Sequence, residues 1–257
     1  MPFPSLEVVP LRALEDNYVY ALVDRPSRSV AVVDPGEAEP VVGFLERERL
    51  VLALVLVTHH HHDHTAGIAP LARRVPGLRV VGPASEQTRI RGLTEQVRDG
   101  DHVDVLGRLA RVLEIPGHTR DHVGYALLDD AGGGELFSGD TVFGATIGNL
   151  FEGTPEDMLG SLTKIRALPA GTRIWCGHEY TLTYVREAAA FDPSNARLAE
   201  RLAHVEAQAG RGEPTVPFTL EEERATSPFF RWDDAELAAR LGTPPGAATF
   251  RRLCELL

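Results

Sequence analysis

Short apolar runs that lead into glycine, proline, histidine or aspartate recur along this chain and predict buried strands. The runs cover residues 50–57, 110–115, 135–138 and 173–176, and a similar run ends at Asp34. In the segments after the last three of these four ranges, a glycine permits a tight exit from the strand. Each strand end is therefore expected to present polar side chains in a short loop.

Patterns with helical periodicity lie between and after these runs. Residues 65–74 form one such pattern, and the sequence Thr154-Pro155-Glu156-Asp157 is a capping signal for a second helix. Amphipathic helices are also predicted over residues 196–209 and 234–241. This arrangement predicts an α/β fold with two sheets and covering helices. Residues 1–168 are expected to form the main domain, and residues 169–257 a small, mainly helical domain.

Composition narrows the class of protein. The 257 residues are 43% hydrophobic, which is enough for a core and argues against disorder. The net charge of -11 disfavours nucleic acid as a partner. Cys176 and Cys254 are too few for a disulfide framework, and no signal peptide or membrane-spanning run is recognisable. The expectation is a cytoplasmic monomer that acts on a small molecule and binds neither nucleic acid nor membrane.

The segment from Thr58 to His64 reads T-H-H-H-H-D-H and directly follows the predicted strand 50–57. Alternate residues of an extended loop point the same way, so His59 and His61 can share one target while Asp63 and His64 turn towards a second. Imidazole and carboxylate groups suit zinc, iron or manganese. A histidine tract without function is expected at a terminus or in low-complexity sequence, whereas this one is internal. The spacing predicts two metal ions side by side.

Three later strand ends carry further candidate ligands, namely His118, Asp140 and His178. If these ends lie along one rim, five imidazoles and two carboxylates converge, which suits two metals better than one. Asp140 can bridge both ions. The remaining ligands then divide into His59, His61 and His118 on one ion and Asp63, His64 and His178 on the other. Zinc is the first choice of metal, with iron or manganese as alternatives.

The remaining histidines are His60, His62, His102, His122 and His204. His60 and His62 are out of phase with the proposed ligands, so they are expected to contact ligand residues or solvent. A structural hydrogen bond is predicted for His122, and surface positions for His102 and His204. Asp34 either forms a turn or accepts a hydrogen bond from a ligand.

Beyond the metal motif, several segments resemble the metallo-β-lactamase superfamily and, within it, glyoxalase II. They are Glu15-Asp16-Asn17-Tyr18, Phe137-Ser138-Gly139-Asp140-Thr141-Val142-Phe143, Phe151-Glu152-Gly153-Thr154, Cys176-Gly177-His178-Glu179-Tyr180-Thr181, Pro214-Thr215-Val216-Pro217 and Pro228-Phe229. The resemblance implies an αββα sandwich with a small C-terminal helical domain. It also implies hydrolysis of S-D-lactoylglutathione to D-lactate and glutathione, a step of methylglyoxal detoxification, with catalysis in residues 1–168 and substrate binding in residues 169–257.

This chemistry agrees with the candidate residues. Two metals can activate water at neutral pH and stabilise the negative charge that develops on the thioester oxygen. A thiolate leaves without a strong acid because thiol pKa values lie near ~8.5. Asp63, besides binding metal, could orient the attacking hydroxide as a catalytic residue. Tyr180 matches a tyrosine with which the family contacts its substrate.

The family's thiol-binding positions fall on Asn149, Phe151, Arg251 and Arg252, which are therefore the candidate substrate contacts. Glyoxalase II commonly has lysine and tyrosine where Asn149 and Phe151 stand here. It also has an arginine followed three residues later by a lysine near the C-terminus, whereas this chain has two adjacent arginines. Either glutathione or another thiol is thus compatible with the sequence.

Three other functions are alternatives to thioester hydrolysis. A mono-iron dioxygenase of the same superfamily, acting on glutathione persulfide, would need fewer ligands. A metal-dependent ribonuclease would need a basic surface, which the acidic composition disfavours. A non-catalytic metal-binding protein would be expected to have lost a ligand.

Overall fold

The computed structural model describes residues 6–129 and 131–257. The strands are β1 (Glu7–Ala13), β2 (Asn17–Asp24), β3 (Ser29–Val33), β4 (Val51–Leu56), β5 (Arg79–Pro83), β6 (Glu95–Val97), β7 (His102–Val105), β8 (Arg108–Glu114), β9 (Val123–Leu128), β10 (Gly133–Gly139), β11 (Val142–Phe143), β12 (Thr146–Ile147), β13 (Gly171–Cys176) and β14 (Phe218–Thr219). The helices are α1 (Glu39–Glu48), α2 (His62–Thr65), α3 (Ile68–Arg74), α4 (Pro155–Arg166), α5 (Thr181–Phe191), α6 (Ala196–Gly210), α7 (Leu220–Thr226), α8 (Ala235–Leu241) and α9 (Ala247–Cys254).

The strands of these ranges form two six-stranded sheets and one short hairpin. The first sheet has the order β1-β2-β3-β4-β5-β6, and the second has the order β14-β13-β10-β9-β8-β7. Strands β3 to β6 run parallel, whereas β1 and β2 form an antiparallel edge. The four strands predicted from apolar runs are all present as β4, β8, β10 and β13.

The chain packs into two compact units. The first unit contains the chain up to Glu114 together with Asp121–Leu127 and Phe137–Gly139. The second contains Ile115–Arg120, Leu128–Leu136 and Asp140–Leu257. The boundary predicted between residues 168 and 169 stays a prediction.

In the first unit, the apolar run of β4 lies between parallel β3 and β5, and parallel strands of this kind are buried on both faces. Val32, Val55 and Val80 from these three strands share one core with Phe44 of α1. Tyr125 of β9 is fully buried, and its hydroxyl donates to the carbonyl oxygen of Val57 at 2.9 Å. This bond ties β9 to the segment that leads into the histidine motif.

In the second unit, α4 begins at the predicted capping sequence. The Thr154 side chain accepts from the backbone N–H of Asp157, whose carboxylate accepts in turn from the Thr154 N–H at 2.9 Å. Ser161, two turns into the helix, donates to the carbonyl oxygen of Pro116 at 2.6 Å. The cap and this bond together fix the loop that carries His118.

The helix predicted over residues 65–74 is interrupted in the structure. A single turn, α2, covers His62–Thr65, and α3 covers Ile68–Arg74. Gly67 lies between them, and its backbone N–H donates to the carbonyl oxygen of Pro35 at 2.8 Å. This contact with a neighbouring loop explains why the local periodicity alone gave a single helix.

Candidate metal centre

The histidine motif leaves β4 and forms a tight group within the first unit. His59 and His64 are fully buried, and their ring centroids lie 4.3 Å apart. The His59 and His61 rings lie 4.7 Å apart, and His64 Nε2 lies 3.4 Å from Asp63 Oδ2. Each predicted pair is thus in close contact, but His59 lies as near to His64 as to His61. The division of the motif between two metal ions stays a prediction.

The backbone changes conformation within the motif. His61 has extended angles, with φ -56° and ψ 144°, and the helical turn α2 begins at the next residue. Asp63 and His64 therefore project from a helical turn, whereas His59 and His61 precede it. The two predicted pairs thus lie on backbone of different conformation, while the His59 and His64 rings remain 4.3 Å apart.

Asp34 fixes the orientation of this group from behind. Its carboxylate accepts from the Thr58 N–H at 2.7 Å and from the Thr58 hydroxyl at 2.6 Å. Its Oδ2 also lies 3.2 Å from His64 Nδ1. Asp34 has φ +51°, a left-handed conformation that aspartate tolerates at turns. Of the two roles left open by the sequence, Asp34 fills both, because it turns the chain and bonds a candidate ligand.

Two glycines let backbone meet backbone beneath the motif. A Cβ on Gly36 would lie 1.8 Å from the carbonyl oxygen of Asp63, and one on Gly67 would lie 2.6 Å from that of Pro35. Any side chain at either position would push the loops apart. The loop after β3 and the histidine motif therefore pack directly on each other.

The other three candidate ligands lie in the second unit. Asp140 Oδ2 lies 3.5 Å from His118 Nε2 and 3.3 Å from His178 Nε2, and all three side chains are buried. His118 follows the loop fixed by Ser161, and His178 follows β13 after Gly177. A carboxylate between two imidazoles is the arrangement expected of a bridging ligand.

The contacts of the histidine ring nitrogens indicate whether the candidate ligands are suited to bind metal ions. His59 Nδ1 lies 3.0 Å from the Thr58 hydroxyl, and His118 Nδ1 lies 2.9 Å from the carbonyl oxygen of Asn149. With the contact of His64 to Asp34, three candidate ligands thus use Nδ1 for a protein contact, as metal-binding histidines do with their second ring nitrogen. Imidazole and carboxylate donors presented in this way suit a divalent first-row metal.

The remaining histidines occupy varied positions. His60 Nδ1 lies 2.8 Å from Oε1 of Glu86, a fully buried carboxylate. The ring of His122 is buried and stacks on that of His59 at 4.6 Å. His62, His102 and His204 are exposed, which confirms the surface positions predicted for the last two.

Two contacts to the motif escaped the sequence analysis. Glu86 lies 26 positions beyond His60, and no local pattern links them. The Asn17 amide donates to Asp63 Oδ2 at 3.0 Å and to the Asp63 carbonyl oxygen at 3.3 Å. Asn17 belongs to the segment Glu15 to Tyr18 quoted for the family resemblance, which was the available signal.

The candidate substrate residues lie in the second unit. The ring of Tyr180 stacks on His178 with centroids 4.8 Å apart and planes 7° apart. Phe151 is 66% exposed and lies 5.2 Å from the His118 ring. Arg251 pairs with Glu156, and Arg252 pairs with Glu255 at 2.7 Å. Substrate contact by these residues stays a prediction.

A cavity of ≈ 180 Å³ lies in the same unit. Its walls include Ala145 and Asn149 near the β11–β12 hairpin, Tyr184 and Glu187 of α5, and Leu253 of α9. Partial burial raises the pKa of Tyr184, and the negative charge of Glu187 adds to this effect. Most of the lining residues are apolar, and Glu187 adds one acidic group.

Comparison with known proteins identifies the family. The model of the metallo-β-lactamase superfamily matches residues 15–178, and that of the hydroxyacylglutathione hydrolase C-terminus matches residues 179–256. Hydroxyacylglutathione hydrolases of Synechococcus sp. strain JA-2-3B'a(2-13) and Nostoc punctiforme are 46% and 43% identical to this chain. The alignments cover 96% and 98% of this chain and 97% and 98% of those proteins. This chain belongs to the hydroxyacylglutathione hydrolase family. Its members are thioester hydrolases with the metallo-β-lactamase fold.

Solved structures confirm the predicted fold of this hydroxyacylglutathione hydrolase family member. ETHE1 from Myxococcus xanthus superimposes with a TM-score of 0.67 at 24% identity, over 97% of this chain and 99% of that one. The BLEG-1 B3 metallo-β-lactamase gives a TM-score of 0.64 at 21% identity, over 88% and 99%. Both likenesses establish the fold alone. Among the described residues, no helix is long and apolar enough to cross a membrane.

Proposed function

We propose that this chain is a binuclear metal-dependent thioester hydrolase whose substrate is S-D-lactoylglutathione. The position of Asp140 between His118 and His178 is the observation that carries the metal assignment. Near full-length similarity to hydroxyacylglutathione hydrolases supports the substrate. D-lactate and glutathione would be the products.

The proposed ligand set is the one predicted from the strand ends: His59, His61 and His118 for one ion, Asp63, His64 and His178 for the other, and Asp140 for both. Within this partition, His59 contacts His61 and Asp63 contacts His64. The position of Asp140 supports it, since each of its imidazole neighbours is assigned to a different ion. Zinc is the proposed metal, with iron and manganese as the alternatives that this donor set accepts.

When bound, two divalent ions would lower the pKa of a water molecule and stabilise negative charge on the thioester oxygen. The Asn17 amide donates one hydrogen bond to the Asp63 carboxylate and one to the Asp63 carbonyl oxygen. These bonds restrain Asp63, whose carboxylate would receive and direct a proton of the attacking water. The thiolate product needs no protein acid, because thiol pKa values lie near ~8.5. Tyr180, stacked on His178, is the proposed contact to the substrate beside this centre.

Both cysteines are free thiols, which supports a reducing compartment and hence the cytoplasm. We propose a monomer, which size-exclusion chromatography with light scattering would test.

The decisive experiment compares three substrates on the metal-loaded protein. Loss of the thioester absorbance of S-D-lactoylglutathione should proceed with saturation kinetics. A β-lactam should be left intact, and glutathione persulfide should cause no oxygen uptake. Oxygen uptake without thioester hydrolysis would replace the proposal with dioxygenase chemistry.

A further inference from the structure

The cavity of the second unit adjoins the candidate ligands of that unit. The carbonyl oxygen of Asn149, a lining residue, bonds His118 Nδ1 at 2.9 Å. On another wall, the Tyr184 ring lies 6.1 Å from the Tyr180 ring, which stacks on His178. A thioester whose carbonyl lies beside His118 and His178 would therefore have its thiol arm within reach of this cavity.

The walls of the cavity are mostly apolar. Phe191 and Leu253 line it together with Phe229, which packs edge to face against Phe250 at 6.0 Å. Such walls favour an uncharged segment of the thiol arm, since a desolvated charge needs a partner.

Glu187 is the one charged side chain among the described lining residues. It is exposed at the rim, and the structure records no ion pair for it within residues 6–129 and 131–257. Its neighbour Arg186 forms an ion pair with Glu206 at 2.8 Å. Arg251 and Arg252 are paired with Glu156 and Glu255 and do not line the cavity. The Glu187 carboxylate therefore presents an unneutralised negative charge to a ligand that enters the cavity.

We propose that Glu187 is a specificity-determining residue, which weakens the binding of thiol arms that carry a carboxylate relative to uncharged arms, while the glutathione thioester remains a substrate. This inference rests on the proposed thioester hydrolysis and adds which thiol arms the site accepts. Glutathione is such an anionic arm, because it carries two carboxylates and one ammonium group. Glu187 thus raises the KM for S-D-lactoylglutathione, while an uncharged thioester is unaffected.

The size of the effect follows from Coulomb's law. Two like charges about 6 Å apart at an exposed rim repel each other by an amount that corresponds to roughly a three-fold change in binding. Reversing the charge should double that free energy, which gives about ten-fold. The repulsion acts on the thiol arm and not on the reacting carbonyl group. It should therefore raise KM and leave kcat nearly unchanged.

The test measures hydrolysis of two substrates by the metal-loaded protein. One is the lactoyl thioester of glutathione, and the other is the lactoyl thioester of the neutral thiol N-acetylcysteamine. Glu187→Gln should lower KM for the glutathione thioester about three-fold and Glu187→Lys about ten-fold, with KM for the neutral thioester unchanged. Glu200→Gln and Glu200→Lys are the matched controls, because Glu200 lies exposed on α6, 4.0 Å from Arg197, and does not line the cavity. The gain from Glu187→Lys should shrink at high ionic strength.

An equal change for both thioesters, or the same change in the Glu200 variants, would overturn the role of Glu187. Calorimetric titration with S-methylglutathione, which is not hydrolysed at a thioester, gives the same comparison without turnover. If neither thioester is hydrolysed, the proposed function fails, yet tighter binding of S-methylglutathione to Glu187→Lys than to Glu200→Lys would still support the inference. Equal binding to both variants would refute it.

Discussion

The Oδ2 atom of Asp34 lies 3.2 Å from Nδ1 of His64, a residue 30 positions later in the chain. The same carboxylate accepts two hydrogen bonds from Thr58, which directly precedes His59. One side chain from the end of β3 therefore orients both ends of the histidine motif. Contacts of this kind raise the basicity of a ligating imidazole and fix its ring.

Asp34→Asn is expected to weaken metal binding about 10- to 100-fold while the protein stays folded. The amide can keep the left-handed backbone angle, but its NH₂ group cannot accept the bonds that the carboxylate accepts. Competition with a chromogenic chelator would measure the affinity. Asp104→Asn is the control, since Asp104 also accepts a hydrogen bond from a backbone N–H, that of Gly107, but lies at an exposed position of β7. Equal affinities in the two variants would contradict an orienting role for Asp34.

The purified protein is expected to bind two first-row metal ions per chain, because seven ligands exceed the needs of one ion. Elemental analysis against protein concentration measures this ratio. A ratio of one that persists in excess zinc would rule out the binuclear arrangement.

Asp140→Ala is expected to lose at least one ion and to abolish hydrolysis, because removing a carboxylate between two cations leaves their repulsion uncompensated. His102→Ala, at an exposed position on β7, should keep both metal and turnover. Metal content and rate should be measured on the same samples. Full metal content with normal turnover in Asp140→Ala would mean that Asp140 is not a ligand.

Glu223→Ala is expected to destabilise the fold by about 3–5 kcal/mol, because the buried Arg201 loses its close carboxylate partner and retains Glu222 at the longer distance of 3.7 Å. Glu223 is fully buried and accepts from Arg201 at 2.6 Å and from the Ala145 N–H at 3.1 Å. Glu206→Ala, which breaks the exposed pair with Arg186, should cost about 1 kcal/mol or less. Denaturant unfolding of both variants measures the two losses in free energy of unfolding. Similar losses would show that the buried pair of Glu223 with Arg201 stabilises the fold no more than the exposed pair does.

Both thiols should react slowly with iodoacetamide at pH 8, because only the thiolate is nucleophilic. Burial raises the pKa of Cys254 to about 12, and it raises that of the fully buried Cys176 further. Since the folded pKa lies above the unfolded one, the stabilising contribution is full below about pH 8.5 and declines as the pH rises towards the folded value. Mass spectrometry of the intact protein would measure alkylation, and rapid modification at pH 8 would contradict the raised pKa values.

Short sequence patterns were enough to predict several strands and helices of the fold. The apolar run of β4 and the capping box at Thr154 are each contained in a few consecutive residues, so their structures followed from the sequence. The break at Gly67 did not, because it depends on the Pro35 carbonyl, which lies in another loop.

The candidate site divides in the same way. Alternation within the motif predicted that His59 and His61 lie close together, because that geometry is local. The contact of His60 with Glu86 was missed, since nothing in the intervening residues links the two. For Asp34, the sequence offered a turn or a hydrogen bond and could not choose, because aspartate serves both. The complete ligand set stays a prediction.

The close approach at Gly36 and Gly67 limits how this histidine motif can be reused. Its shape depends on a second loop that touches it through main-chain atoms, with no room for a side chain at either glycine. Grafting residues 58–64 alone onto another α/β scaffold would carry the ligands without the surface that shapes them. A successful transplant would have to include Asp34, Pro35 and Gly36, and Gly67 as well, as one inseparable cassette.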